Sequence, residues 1–251
     1  MPRVMLTVAY DGTNYNGFAY QPSAVTIEGR INEALTDLTG CETCVSGASR
    51  TDAGVHALGN LAVFDTDSRI PPDKFAPALN SRLPSDIRIV SSCSVADDFH
   101  PRKRASVKTY EYRIRNSKTE LPTDRLYTSF CSFPLDEKKM EEAGAFLVGE
   151  HNFTSFCNVE SQALSHVRRI YSLSCKREGE YVTIIVRGGG FLYNMVRIIA
   201  GTLMMVGRGK IAPEDVKGIL EASDRSKAGP TAPPQGLFLI GYEFPGEDVI
   251  K

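Results

Sequence analysis

Apolar and polar residues alternate in "VMLTVAYD", Val4 to Asp11, which predicts an opening strand. From Thr26 to Thr39 the period changes to that of a helix, with Ile27, Ile31, Ala34, Leu35 and Leu38 on one face and Gly40 as its stop. Strand patterns follow at Thr43 to Ser49 and Leu61 to Thr66, then a proline-opened helix from Pro72 to Leu83 and a strand from Ile87 to Val95. The order β-α-β-β-α-β is the split βαβ arrangement. A second half repeats the rhythm loosely. It has strands at Val107 to Arg115, near Arg168 to Lys176, at Tyr181 to Arg187 and at Leu237 to Tyr242, with helices after Asp136, from Phe191 and from Pro213. The pattern predicts an α+β protein of two halves, 1–103 and 104–251, joined near residues 100–106.

Two places break the pattern. "SGASRTDAGVHALGN", residues 46–60, surrounds Arg50, Asp52 and His56 with the smallest side chains. Glycine there supplies turn geometry and lets another backbone or a ligand approach, so the stretch predicts a tight loop presenting a carboxylate. His56 alone fits a histidine that packs the loop equally well. The second place is "GGGFLYNMVRIIAGTLMMVG", residues 188–207, where Arg197 is the only charge in a helix apolar almost all round. A buried guanidinium requires a carboxylate, for which Asp52 is a candidate, or else it reaches solvent or backbone carbonyls.

Charge adds a third feature. The chain has 251 residues and a formal net charge of −1, which argues against a protein that coats nucleic acid. Yet Pro101 to Lys118 holds seven Lys or Arg and one Glu, interleaved with Tyr110 and Tyr112. Such a run is either a solvated face or a strand that clamps phosphates and stacks bases. No secretory signal is read, and the apolar run from Phe191 to Val206 is too short to span a bilayer, so a cytoplasmic protein without membrane contact is expected. Cys41 and Cys44 form the one C-x-x-C pair; lacking a second pair, they read as reduced structural thiols rather than a metal or redox site. The expectation is no metal and no cofactor.

The motifs together resemble the TruA family of tRNA pseudouridine synthases. "RTDAGVHA" is similar to its signature, and "AYDGTNYNGF" with "QPSAVTIEGRINEAL" to its opening. "FHPRKRA", "KTYEYRI", "GEHNFTSF", "GGGFLYNMVRIIAGTL" and "AGPTAPPQGLFL" are similar to its later blocks, in the same order. The resemblance implies a pseudouridine synthase fold, two ferredoxin-like halves with a joined, largely antiparallel sheet and a central cleft. It implies Asp52 as the catalytic carboxylate and nucleophile, Tyr110 as the ring that stacks on the target uracil, and Arg197 as the cation paired with Asp52. Arg50, His56 and Arg102 are implied in holding RNA and Leu237 in lining the base pocket. The family acts as homodimers on positions 38, 39 and 40 of the tRNA anticodon arm. Phe18-Ala19, Ser49, Pro101 and Asn152 depart from the family's usual Trp-Gln, Gly, Ala and Asp.

The implied reaction breaks the N1 to C1′ bond of uridine, turns the uracil and rejoins it through C5, so no atom is gained or lost. Asp52 could attack C1′, add to C6, or remove a proton from C2′. Two other readings compete: a nucleic-acid N-glycoside hydrolase, which needs a second acid or base to activate water, and a catalytically silent RNA-binding module, which gains nothing from a carboxylate on its phosphate surface.

Overall fold

The computed structural model describes residues 2–246. They form two compact units, 2–106 with 238–246 and 107–237. Each is α+β, with a mixed but mainly antiparallel sheet.

In the first unit, strand β1 (Arg3–Tyr10) leads into helix α1 (Ile27–Thr39). Thr26 caps that helix by accepting from the Gly29 amide, Ile27, Ile31, Ala34 and Leu35 bury its apolar stripe, and Gly40 ends it in the left-handed conformation. Strand β2 (Ser46–Gly47) is far shorter than the pattern over Thr43 to Ser49 predicts. The reason is that side chains take over its ladder: the Val45 amide donates to Asn32 and the Ser49 amide to Asn60. Strand β3 (His56–Asp65) is longer than predicted, because the small residues before Leu61 continue the pairing with β1. The helix expected from Pro72 opens as a 3₁₀ turn over Pro72–Lys74 and becomes α2 only at Phe75–Asn80, before β4 (Ile87–Val95).

The strands lie in the order β4-β1-β3-β2, every neighbouring pair antiparallel. Thus β1 and β2, joined through α1, flank β3, while β3 and β4, joined through α2, flank β1. The Asp52 stretch is the β2–β3 connection, at one end of the central pair.

In the second unit, β5 (Val107–Asn116) pairs in parallel with the short β6 (Ser129–Cys131) on one side. Helix α3 (Glu137–Ala145), capped by Asp136, and strand β7 (Gly149–Asn152) precede the hairpin of β8 (Val167–Glu178) and β9 (Tyr181–Gly188). The order is β6-β5-β9-β8-β7. β6 and β7 escape the sequence pattern because three or four residues carry too little periodicity to read. The apolar helix α4 (Met195–Gly207) begins four residues later than Phe191, and α5 is Asp215–Glu221.

The last strand, β10 (Leu237–Glu243), belongs by chain order with the second half. From Phe238 onward its residues instead group with the first unit, where Phe238 and Leu239 pair in parallel with His56 and Ala57 of β3.

Candidate active site

Asp52 opens a four-residue turn closed by the Val55 amide donating to the Asp52 carbonyl at 3.2 Å. Gly54, its third residue, has φ +75°, a conformation that a side chain disfavours and that type II turns require. The carboxylate is half-exposed, whereas Thr51 and Val55 on either side are buried.

Neighbouring groups hold this turn from several directions. The Thr51 hydroxyl lies 2.7 Å from that of Tyr10, and the Thr51 carbonyl accepts from the Phe18 amide at 3.1 Å. Asn60, 0 % exposed, donates from Nδ2 to the Ser49 carbonyl and the Tyr10 hydroxyl, and accepts at Oδ1 from the Ser49 and Leu61 amides and from the Tyr242 hydroxyl. A buried polar network so fully bonded is rigid, and losing one member strands the others without water. Phe18 packs against Tyr10 and fills the space over Gly47, where a Cβ would overlap its ring. The departure at Phe18 is therefore a buried packing residue beneath the loop.

His56 is 1 % exposed and stacks on Phe238 with ring centroids 4.7 Å apart. Its Nδ1 accepts from the Gly12 amide at 3.1 Å, which places the ring proton on Nε2; a proton on Nδ1 would face Asp11 Oδ1 at 3.2 Å instead. The structure thus puts His56 inside, tying the chain after β1 to the start of β3. Arg50 is exposed. Arg102, also exposed, donates from Nε to the Gly47 carbonyl at 2.7 Å and so sits on the rim of the same loop.

Tyr110, Arg197 and Leu237 belong to the second unit. Tyr110 lies on β5, 8 % exposed, with the edge of its ring against Phe191 at 5.1 Å. Gly188 leaves room for Phe191, since a Cβ there would come 2.9 Å from that ring. Two residues on, Tyr112 is fully buried; burial raises its hydroxyl pKa, and the hydroxyl donates to the Pro233 carbonyl at 2.9 Å. Arg197, in the first turn of α4, is half-buried and donates from Nε to the Ala232 carbonyl at 2.8 Å and from Nη1 to Asn194 Oδ1 at 2.9 Å. One end of the guanidinium is thus held by a backbone carbonyl, that of Ala232. Leu237 is buried and its amide donates to the Pro234 carbonyl.

The loop that receives Arg197 is itself fixed. The Gly229 amide donates to the Thr202 hydroxyl at 2.9 Å, and α4 can pass under Pro230 only because residue 201 is glycine.

Phe191, Asn194 and Asn60 escape sequence reasoning. Phe191 and Asn194 sit in a run dominated by apolar residues, and the signal for Asn60 is an amide interrupting "HALGNLAVFD". Among the described residues no group of three or more His, Cys, Asp and Glu could hold a metal ion, and no helix is long and apolar enough to cross a membrane. Cys41 and Cys44 are both exposed, free thiols.

A sequence profile of the tRNA pseudouridine synthase family matches residues 6–102 and 143–245, and the chain belongs to that family. It is similar to tRNA pseudouridine synthase A of Thermoanaerobacter sp. (strain X514), with 47 % identity over 240 residues, 96 % of this chain and 98 % of that one. The corresponding protein of Caldicellulosiruptor bescii is 46 % identical over 244 residues, 97 % of this chain and 100 % of the relative. That of Brevibacillus brevis is 47 % identical over 239 residues, 95 % and 98 %. The enzyme is an isomerase that makes pseudouridine in tRNA.

Proposed function

We propose that this enzyme converts uridines 38, 39 and 40 of the tRNA anticodon stem-loop to pseudouridine, with Asp52 as the nucleophilic catalytic carboxylate. The observation that carries the assignment is the half-exposed Asp52 side chain on a turn whose flanking residues are buried and hydrogen-bonded. Such a carboxylate is accessible to a sugar yet held in place, so little of its reactivity is spent on orientation.

In this reading Tyr110 stacks on the extruded uracil, and its hydroxyl relays the proton leaving C5. Arg197 pairs with Asp52 and keeps it ionised, since an opposite charge nearby favours the charged form. Leu237 lines the base pocket. The target base must leave its stack to reach Asp52, and Arg50 and Arg102 hold the displaced backbone. The buried His56 acts from beneath, by fixing the loop. The β4-β1-β3-β2 order supports the reading of the first unit as ferredoxin-like. The working form is a cytoplasmic homodimer, one subunit steadying the tRNA whose uridine enters the other.

The test is to map pseudouridine across total tRNA from cells with and without this protein. Loss confined to positions 38, 39 and 40 is expected. Loss elsewhere, with those three still modified, would overturn the position assignment and leave the chemistry standing.

A further inference from the structure

Asn194 opens α4 in an unusual way. Its backbone is left-handed, φ 60° and ψ 7°, one of two non-glycine residues with positive φ among those described. An Asn before a helix ordinarily has an extended backbone and accepts from an amide of the first turn. Here the side chain makes no such cap, and its Oδ1 accepts from Arg197 Nη1 at 2.9 Å. A guanidinium has donors only, so the atom of the Asn194 amide facing it must be the oxygen.

The placement of Arg197 is also unfavourable by itself. A cation in the first turn of a helix faces the positive end of the helix dipole, and no acidic residue accompanies it there. Contacts on both sides of the guanidinium offset this. Arg197 and Ala232 bond reciprocally: Nε donates to the Ala232 carbonyl at 2.8 Å, and the Ala232 amide to the Arg197 carbonyl at 3.1 Å. That pairing fixes the root of the guanidinium, and the Asn194 contact fixes its far end. Together they hold Nε and Nη1 in fixed directions.

We infer that Asn194 is a positioning residue for the isomerisation: its amide oxygen, rather than capping α4, sets the direction in which Arg197 presents its guanidinium. The inference rests on the reading that Arg197 serves the catalytic carboxylate.

The test uses the full-length protein and an unmodified tRNA transcript. Asn194→Gly removes the oxygen but suits the left-handed backbone, so the melting temperature stays level or rises. Its kcat should fall about tenfold to a hundredfold, the range for a reacting group displaced by about an ångström, with KM little changed. Asn194→Ala should lose the same kcat and also melt lower, because Ala disfavours positive φ. Equal kcat losses with different melting temperatures would tie the defect to the oxygen. Full turnover by Asn194→Gly beside an inactive Arg197→Met overturns the inference alone, as does a kcat loss that merely follows a fallen melting temperature. Full turnover by Arg197→Met overturns the reading of Arg197 and the inference with it.

Discussion

Gly12 lies against Val55 so closely that a Cβ on residue 12 would overlap the Val55 carbonyl oxygen, and one on Gly17 would come 2.5 Å from the Thr51 carbonyl oxygen. Two glycines of the chain between β1 and α1 therefore grip both sides of the Asp52 turn, backbone against backbone. Gly12→Ala must push this contact apart, and overpacking of that kind costs about 1–3 kcal/mol. Gly54→Ala places a side chain at positive φ, at about 1–2 kcal/mol. Both variants should melt lower and turn over more slowly; a normal rate in a destabilised variant would show that the turn's position does not limit the chemistry.

Asp52→Asn keeps the shape of the side chain and removes its charge. Because Asp52 is half-exposed, the variant should fold and bind tRNA while forming no pseudouridine. Chemical detection of pseudouridine and of free uracil, with purified protein and transcript, reads the outcome. Free uracil from the unaltered protein would point to glycoside hydrolysis, and undiminished activity in the variant would remove Asp52 from its role.

Tyr110→Phe keeps the ring, so tRNA binding should persist while turnover falls for want of the hydroxyl. Tyr110→Ala should weaken capture of the base as well, by about 1–3 kcal/mol. Phe191→Leu removes the ring that abuts Tyr110 and should reproduce part of the Ala effect. Equal affinity in all three variants, measured by titration with labelled tRNA, would exclude stacking.

Binding should weaken steeply with salt if the cations of residues 101–118 meet phosphates. Removing one phosphate contact lowers the slope of log affinity against log salt by about one. Arg102→Ala should do so and also loosen the loop through the lost Gly47 bond, whereas Arg104→Ala should lower the slope while giving up an exposed ion pair with Asp98 and leaving the Gly47 bond in place. A slope untouched by both would move the RNA surface elsewhere.

Acid should loosen the second unit at Asp124. Its carboxyl accepts from the Tyr181 hydroxyl at 2.6 Å and from Arg115 at 3.0 Å, and these hold its pKa below the usual carboxylate value. A carboxyl depressed on folding stabilises the protein above its unfolded pKa, and the contribution disappears as pH falls through the folded one. Melting temperature should therefore drop as the medium is acidified below the ordinary Asp range, and Asp124→Asn should flatten that dependence.

The elements with a strong local rhythm are legible in the amino-acid sequence. The apolar face of α1 with its bounds at Thr26 and Gly40, the helix that follows Asp136, and the strands β1, β4, β5 and β9 are consequences of neighbours a few residues apart. Family membership is legible too, because its motifs are short and contiguous. Other features depend on groups distant in the chain. Ser46–Gly47 is all that pairs of the expected second strand because Asn32 and Asn60 take the amides on either side. His56 is buried because Phe238, some 180 residues away in sequence, covers it. Asn194 turns left-handed and Arg197 leans on Ala232, a contact no local period encodes. Local pattern thus dictates which elements form and which carboxylate stands among small residues, while the packed fold dictates what holds that carboxylate's loop and the guanidinium. Periodicity records which face of an element is apolar, whereas a hydrogen bond across the fold depends on where two distant backbones are brought to rest.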